Sequence, residues 1–268
     1  VYKHLDYPIY KNTEIQKKNI SIPESIEIAV IGSGSGGGVA ASVLSENYEV
    51  GIFEKGSYGN GMTNNETFGY HNFYDTNGIQ QTRGYKVLLL AGMGIGGGTS
   101  VNWTTSLRTP NQILNEWDTL TKQDNYFNSS EFRNSMDFVC KELNVDIKNN
   151  RIPQKEEKLA EGLELNNLSY KIIPRNTSND ECTESGFSTF GRYDESINST
   201  NKIWFSEERF EPNNVFSDTN ITSLDLSNGR ATHINIENNG TLHKVAVDKV
   251  VLAAGSLNTP KILLDSGY

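Results

Sequence analysis

The chain has 268 residues, enough for one large or two small domains with a sizeable core. Asp and Glu number 33 against 24 Lys and Arg, a net charge of −9, which argues against nucleic acid or an anionic membrane as the main partner because both select clustered Lys and Arg. Mean hydropathy is −0.53, no apolar run approaches the ~18 residues that span a bilayer, and two cysteines exclude a disulfide scaffold and a cysteine-only zinc site. The many Asn-x-Ser/Thr triplets follow from a strong Asn bias and are not read as secretion signals.

In chain order, residues 1–25 read as a polar arm. Ile26 to Ile31 is a short apolar strand, and seven residues rich in glycine follow at once (GSGSGGG, Gly32 to Gly38). Val39 to Ser45 reads as helix, and Tyr48 to Phe53 as a second strand closed by Glu54-Lys55-Gly56. Strand, glycine turn, helix and strand make one βαβ unit. Gly56 to Arg83 shows no period and is expected to be irregular, as lids and cofactor-covering segments often are. Lys86 to Leu90 is a buried-strand candidate leading into a second glycine cluster, Gly92 to Gly98.

Residues 109–165 read as a helical excursion. Thr109-Pro110-Asn111-Gln112 has the form of a capping box with Thr109 as cap. Phe132, Met136, Val139 and Leu143 form an amphipathic stripe expected to face a core, and Gln154 to Leu165 is a third helix. Tyr170 to Ile173 is a strand candidate, and Cys182 to Gly191 reads as loop. Four strands are expected between Asn214 and Ala253, with turns at Asn228-Gly229 and Asn239-Gly240. The last strand ends at Gly255, and Thr259-Pro260 is expected to open a final helix.

Three constellations carry chemistry. In Gly32-x-Gly34-x-x-Gly37 the first glycine permits the tight turn, the second lets a pyrophosphate approach bare backbone, and the third lets helix and strand pack closely. Glu54, about 20 residues on, falls where a carboxylate accepts hydrogen bonds from ribose hydroxyls. Together these point to a dinucleotide, without separating NAD from FAD. Lys55 beside Glu54 hints at a 2′-phosphate, which Glu54 would repel, so NADP fits least. The second constellation, Gly96 to Trp103, offers bare backbone at Gly97 and Gly98 with polar groups at Ser100 and Asn102 able to pair with a flat ring. A flavin needs such a second grip along its length; a nicotinamide domain does not. The third, Ala253 to Gly267, returns a strand to the carboxyl edge of the sheet, where open α/β sheets bind ligands.

GSGSGGG, EKG, GGGTSVNWTTSLRTP and AAGSLNTPKILLDSG, in this order and spacing, resemble the glucose–methanol–choline (GMC) family of FAD-dependent oxidoreductases, from about Ile26 to the carboxyl terminus. VNWTTSLRTP, Glu116-Trp117 and Ile173-Pro174-Arg175-Asn176 are most similar to its long-chain alcohol oxidase branch, although Cys182 stands alone where that branch often has a cysteine-rich stretch. The resemblance implies an α/β fold: a Rossmann-like FAD-binding domain with the helical excursion and part of a β-rich substrate-side region. It implies FAD held by Gly32, Ser33, Gly34, Gly36, Gly37, Glu54, Lys55, Gly97, Gly98, Ser100, Asn102, Ile221, Ala254 and Gly255, with Ile221 at the adenine.

The implied reaction oxidises a primary alcohol, of the long-chain kind if the branch holds, to an aldehyde. A hydride passes to flavin N5, and oxygen or another acceptor reoxidises the flavin. The base that takes the hydroxyl proton is a histidine near the family's carboxyl terminus; His4, His71, His233 and His243 occupy no motif position, so no catalytic residue is expected in this chain, and no metal. Family members run to roughly twice this length, so the expectation is an amino-terminal piece lacking the catalytic domain. A cytoplasmic compartment is expected, with membrane association if the branch holds. A nicotinamide-dependent Rossmann dehydrogenase and a non-catalytic FAD-binding remnant are the two competing readings.

Overall fold

The computed structural model describes residues 15–16, 21–59, 66–148, 152–178, 190, 196–205 and 214–268. The chain divides into two compact units. The first comprises Val1–Trp103, Glu184–Tyr193 and Ser199–Tyr268; the second comprises Thr104–Thr183 and Asp194–Asn198.

The first unit opens with β1 (Ile15–Gln16), β2 (Ser25–Ile31), α1 (Ser35–Leu44), β3 (Val50–Phe53), β4 (Tyr58–Gly59), α2 (Glu66–Phe73), β5 (Gln80–Gln81) and β6 (Leu88–Leu89). The second unit carries α3 (Asn111–Thr121), α4 (Ser130–Glu142), β7 (Val145–Asp146), α5 (Gln154–Leu165) and β8 (Arg175–Asn176). The chain then returns to the first unit with α6 (Thr200–Trp204), β9 (Val215–Phe216), β10 (Asn220–Ser227), β11 (Arg230–Asn238), β12 (Thr241–Leu252) and α7 (Gly255–Asp265).

The main sheet has six strands in the order β10-β11-β12-β2-β3-β9. β12, β2, β3 and β9 run parallel, and β2 and β3 are buried almost throughout, which is why they read as continuous apolar runs. β10, β11 and β12 form an antiparallel meander. Its two-residue turns are Asn228-Gly229 and Asn239-Gly240, all four residues at positive φ, as a type I′ turn requires. β12 does both jobs: its first half pairs with β11, and from Ala246 to Leu252 it runs beside β2.

Each sheet face has its own core. On one, Ala41 of α1 packs with Trp204, Phe205, Ile95 and the β2–β3 side chains. On the other, Ile262 of α7 joins Ile221, Leu224, Ile234, Ile236 and Val245, and the Phe53 and Phe216 rings stack at 4.9 Å. The carboxyl ends of β12, β2, β3 and β9 thus come level, with Leu252 opposite Ile31, Ile31 opposite Phe53 and Phe53 opposite Phe216.

Several expectations need correction. Gly56 to Arg83 is not wholly irregular: it contains α2. Gly69 lies inside that helix because a Cβ there would stand 2.3 Å from the Phe190 ring, and a mid-helix glycine weakens the sequence pattern. Lys86 to Leu90 is not a buried strand. Only Leu88–Leu89 pairs, with Gln80–Gln81, and Val87, Leu88 and Leu90 are exposed, because this hairpin stays outside the main sheet. α7 begins at Gly255, and Pro260 lies within it, so the helix starts at the turn off β12 and the proline only removes one internal donor.

In the second unit α3 starts one residue later than the capping box implies. Pro110 takes the cap position, its carbonyl accepting from the Ile113 and Leu114 amides, and Thr109 makes no cap bond. α4 is capped by Ser129, which accepts from the Phe132 amide, but it buries none of its residues, so its stripe is not a core face. Phe132 instead meets Phe127 edge-on and Tyr126 at a tilt, in a small aromatic cluster with Trp117. Tyr170 to Ile173 forms no strand and is exposed at Tyr170, Ile172 and Ile173; the strand lies further on, at β8 against β7. Cys182 and most of the loop around it lie outside the described residues. Among the described residues no helix is long and apolar enough to cross a membrane.

Candidate functional site

At the carboxyl edge of the parallel strands the first unit holds a cavity of about 1220 Å³. That exceeds the ~300–1,000 Å³ of sites for drug-sized ligands and suits a large ligand. Three backbone segments form its wall. Gly32 and Gly34 come from the turn into α1 and Gly36 from its first turn, Gly97, Gly98 and Asn102 from the second glycine loop, and Ala254 and Gly255 from the start of α7. Glu54, Lys55 and Ile221 also border it. The remaining residues singled out in the sequence, Ser33, Gly37 and Ser100, stand behind the wall.

These three do structural work. Gly32 has φ +96°, and a Cβ on it would lie 2.5 Å from the Ala253 carbonyl oxygen, while a Cβ on Gly37 would lie 1.9 Å from the Gly32 carbonyl oxygen. The turn therefore packs backbone on backbone. Gly97 (φ +51°) brings the second loop onto the first, its would-be Cβ 3.0 Å from Gly34 Cα. Ser100 Oγ donates to the Ile95 carbonyl at 3.0 Å and closes the second loop on itself.

Ser33 and Glu54 fasten the two loops together. Glu54 Oε2 accepts from the Ser33 amide at 2.9 Å and from Ser33 Oγ at 2.7 Å. Its Oε1 accepts from the amides of Gly56 at 2.9 Å and Gly94 at 3.3 Å. Ser33 Oγ accepts in turn from the Gly96 amide at 3.0 Å. Both residues are buried. Glu54 is thus first a bracket between strand end and loops, and a ribose hydroxyl reaching it would add to a carboxylate already held by four donors.

A second polar cluster on the cavity wall went unread in the sequence. Lys55 Nζ lies 2.5 Å from Asp75 Oδ1, which also accepts from the Thr76 amide at 2.9 Å; Asp75 Oδ2 accepts from Asn258 Nδ2 at 3.0 Å. Burial pushes the Asp75 pKa up, but the hydrogen bonds from Lys55 and Asn258, the Lys55 charge and the Thr76 amide outweigh it, and the net shift is downward. Asp75 follows α2, whose end is stitched to the second loop: Met93 N–H donates to the Phe73 carbonyl and Asp75 N–H to that of Ala91. Behind the stitch Phe73, Tyr74, Val101 and Phe190 form a small core. There burial, and then the nearby Tyr70, push the Tyr74 phenol up to about 12.

The wall also leaves room for a bound flavin dinucleotide. At Gly34, Gly36 and Gly98 a Cβ would meet nothing within 4 Å. No neighbour among the described residues requires glycine there, yet each borders the cavity, so the space is left for something else. Among the described residues no histidine lines the cavity: His71 is exposed on α2, and His233 and His243 are half-buried on β11 and β12. Among the described residues no group of His, Cys, Asp or Glu has a metal-binding arrangement.

Comparison with known proteins bears on the same region. A family profile for GMC oxidoreductases matches residues 35–268. The long-chain-alcohol oxidase FAO4A of Arabidopsis thaliana is 30% identical over 250 residues, covering 90% of this chain and 34% of its own. FAO4B of the same plant is 30% identical over 261 residues, with the same coverage of both chains. The chain therefore spans about a third of the length of the curated relatives it matches. Among solved structures, a fungal aryl-alcohol oxidase aligns with a TM-score of 0.61 at 13% identity, over 92% of this chain and 48% of that one. An FAD-dependent oxidoreductase from Chaetomium thermophilum aligns with a TM-score of 0.62 at 15% identity, over 89% and 47%.

Proposed function

The chain belongs to the GMC oxidoreductase family, and from that premise we propose that it is the cofactor-holding part of an FAD-dependent enzyme that oxidises a primary alcohol, of the long-chain kind, to an aldehyde. One observation carries the reading. Three separate glycine-bared stretches border one cavity at the carboxyl edge of the parallel sheet, and at Gly34, Gly36 and Gly98 they leave space that none of the described residues uses. The identity to long-chain-alcohol oxidases supports the substrate class.

In this reading Gly32, Gly34, Gly36 and the amino end of α1 receive the pyrophosphate, and Ser33 and Gly37 hold that turn in shape. Glu54 meets the adenosine ribose, with Lys55 beside it, and Ile221 borders the adenine. Gly97, Gly98 and Asn102 line the path to the ring, with Ser100 bracing their loop, and Ala254 and Gly255 close the opposite wall. The bound flavin would supply the hydride acceptor, with oxygen or another acceptor taking the electrons onward. The chain's own part is to bind and orient the cofactor; the base that takes the alcohol proton lies outside these 268 residues.

The test mixes the purified chain with FAD, removes free cofactor and records the visible flavin band, then offers a long-chain primary alcohol. Retained flavin without turnover is expected, with turnover appearing in the full-length protein. Turnover by the 268-residue chain would place the base inside it. Rejection of FAD together with an NAD-dependent rise in melting temperature would replace the reading with a nicotinamide dehydrogenase.

A further inference from the structure

Among the described residues that line the cavity, Glu54, Lys55, Asp75 and Lys261 are the charged ones. Both lysines are occupied: Lys261 pairs with Asp265 one turn along α7, and Lys55 with Asp75. The Lys55 side chain keeps 40% of its exposure, whereas that of Asp75 keeps 9%. Asp75 cannot swing away from Lys55 without leaving Asn258 and the Thr76 amide, which hold both of its oxygens.

A cationic side chain next to the acid that receives an adenosine ribose, most often arginine, is the kind of group that accommodates a 2′-phosphate, and Lys55 stands in that place. Its ammonium is a compact point charge, and here that charge is already taken. A 2′-phosphate, carrying about −1.5 to −2, would meet two carboxylates and one neutralised ammonium. Drawing Lys55 onto the phosphate would strand the buried Asp75 charge, a costly outcome.

We propose that Asp75 is a specificity-determining residue: by sequestering Lys55 it makes the cavity select an adenosine dinucleotide without a 2′-phosphate. The inference rests on the reading that the Glu54 end of the cavity takes the adenosine half. Asn258 is the positioning residue, because it fixes the carboxylate from the α7 side.

The test is calorimetric titration of the 268-residue chain with ADP-ribose and with 2′-phospho-ADP-ribose, scored as the ratio of the two affinities. The parent prefers ADP-ribose. Asp75→Asn frees Lys55 and shifts the ratio toward the phosphorylated ligand by about ten-fold or more, the worth of one charge-assisted contact. Asp75→Asn combined with Lys55→Met abolishes that gain. Lys55→Met alone shifts the ratio the other way, and this arm stands even if Asp75→Asn folds poorly. An unchanged ratio in Asp75→Asn and Lys55→Met, or a gain that survives in the double variant, overturns the inference and leaves the cofactor reading intact. A parent chain that binds neither ADP-ribose nor FAD overturns the cofactor reading, and this inference with it.

Discussion

Ser33 Oγ sits where two glycine loops and a strand end meet: it donates to Glu54, has the Gly94 carbonyl at 3.2 Å, and accepts from the Gly96 amide. Ser33→Ala leaves the Gly96 amide buried without an acceptor and removes one donor to Glu54. We expect a loss of about 1–3 kcal/mol in urea unfolding, with weaker FAD binding as the second loop loosens. The neighbouring glycines divide into two kinds. Gly37→Val drives a side chain into the Gly32 carbonyl, and unfolding free energy should fall by about 3 kcal/mol. At Gly36, inside α1 with nothing within 4 Å of a Cβ, Leu should raise the unfolding midpoint through helix propensity. Its side chain would stand in the cavity, so the same variant should lose FAD uptake. Stability and binding moving in opposite directions would mark space kept for a ligand; a parallel fall in both would mark Gly36 as structural. The glycine spacing was legible in the sequence. The bracing role of Glu54 was not, because its donors Ser33 and Gly94 lie 21 and 40 residues away.

The elements split along the same line between local and distant causes. The β10–β12 meander was readable because each Asn-Gly turn carries its own conformational preference. α2 was not, since the reason for Gly69 is the distant Phe190 ring. The start of α7 was missed because Thr259-Pro260 looks like a helix opening, whereas the turn at Gly255 (φ +80°) has already launched it from β12. Once launched there, α7 delivers Asn258 to Asp75, 183 residues earlier in the chain. That link should be visible in pH dependence. The folded state holds the Asp75 pKa below its ordinary 3.8. Its stabilising contribution is therefore complete above that ordinary value and is lost as pH falls through the lowered folded value. Thermal unfolding of the parent and Asp75→Asn should differ at neutral pH and converge in acid below about pH 4. A difference that persists undiminished in strong acid would show that Asp75 acts through packing and not through its charge.

At the scale of the whole molecule, the organisation follows from where apolar strands end. Four parallel strands finish level, and every chain exit from that edge is glycine-bared or polar, so one unit carries a continuous site wall. The family resemblance was legible because it rests on short motifs in fixed order. The placement of the second unit's surface side chains was not, because α4 has an amphipathic sequence and yet buries none of its residues. The most direct test of the account is a crystal structure of the chain grown with FAD. It should show the dinucleotide lying along the cavity, its pyrophosphate against Gly34 and its ring on the Asn102 side, with Gly255 on the opposite wall. Density for the nucleotide anywhere else on the molecule, with this cavity filled by side chains or water, would contradict it.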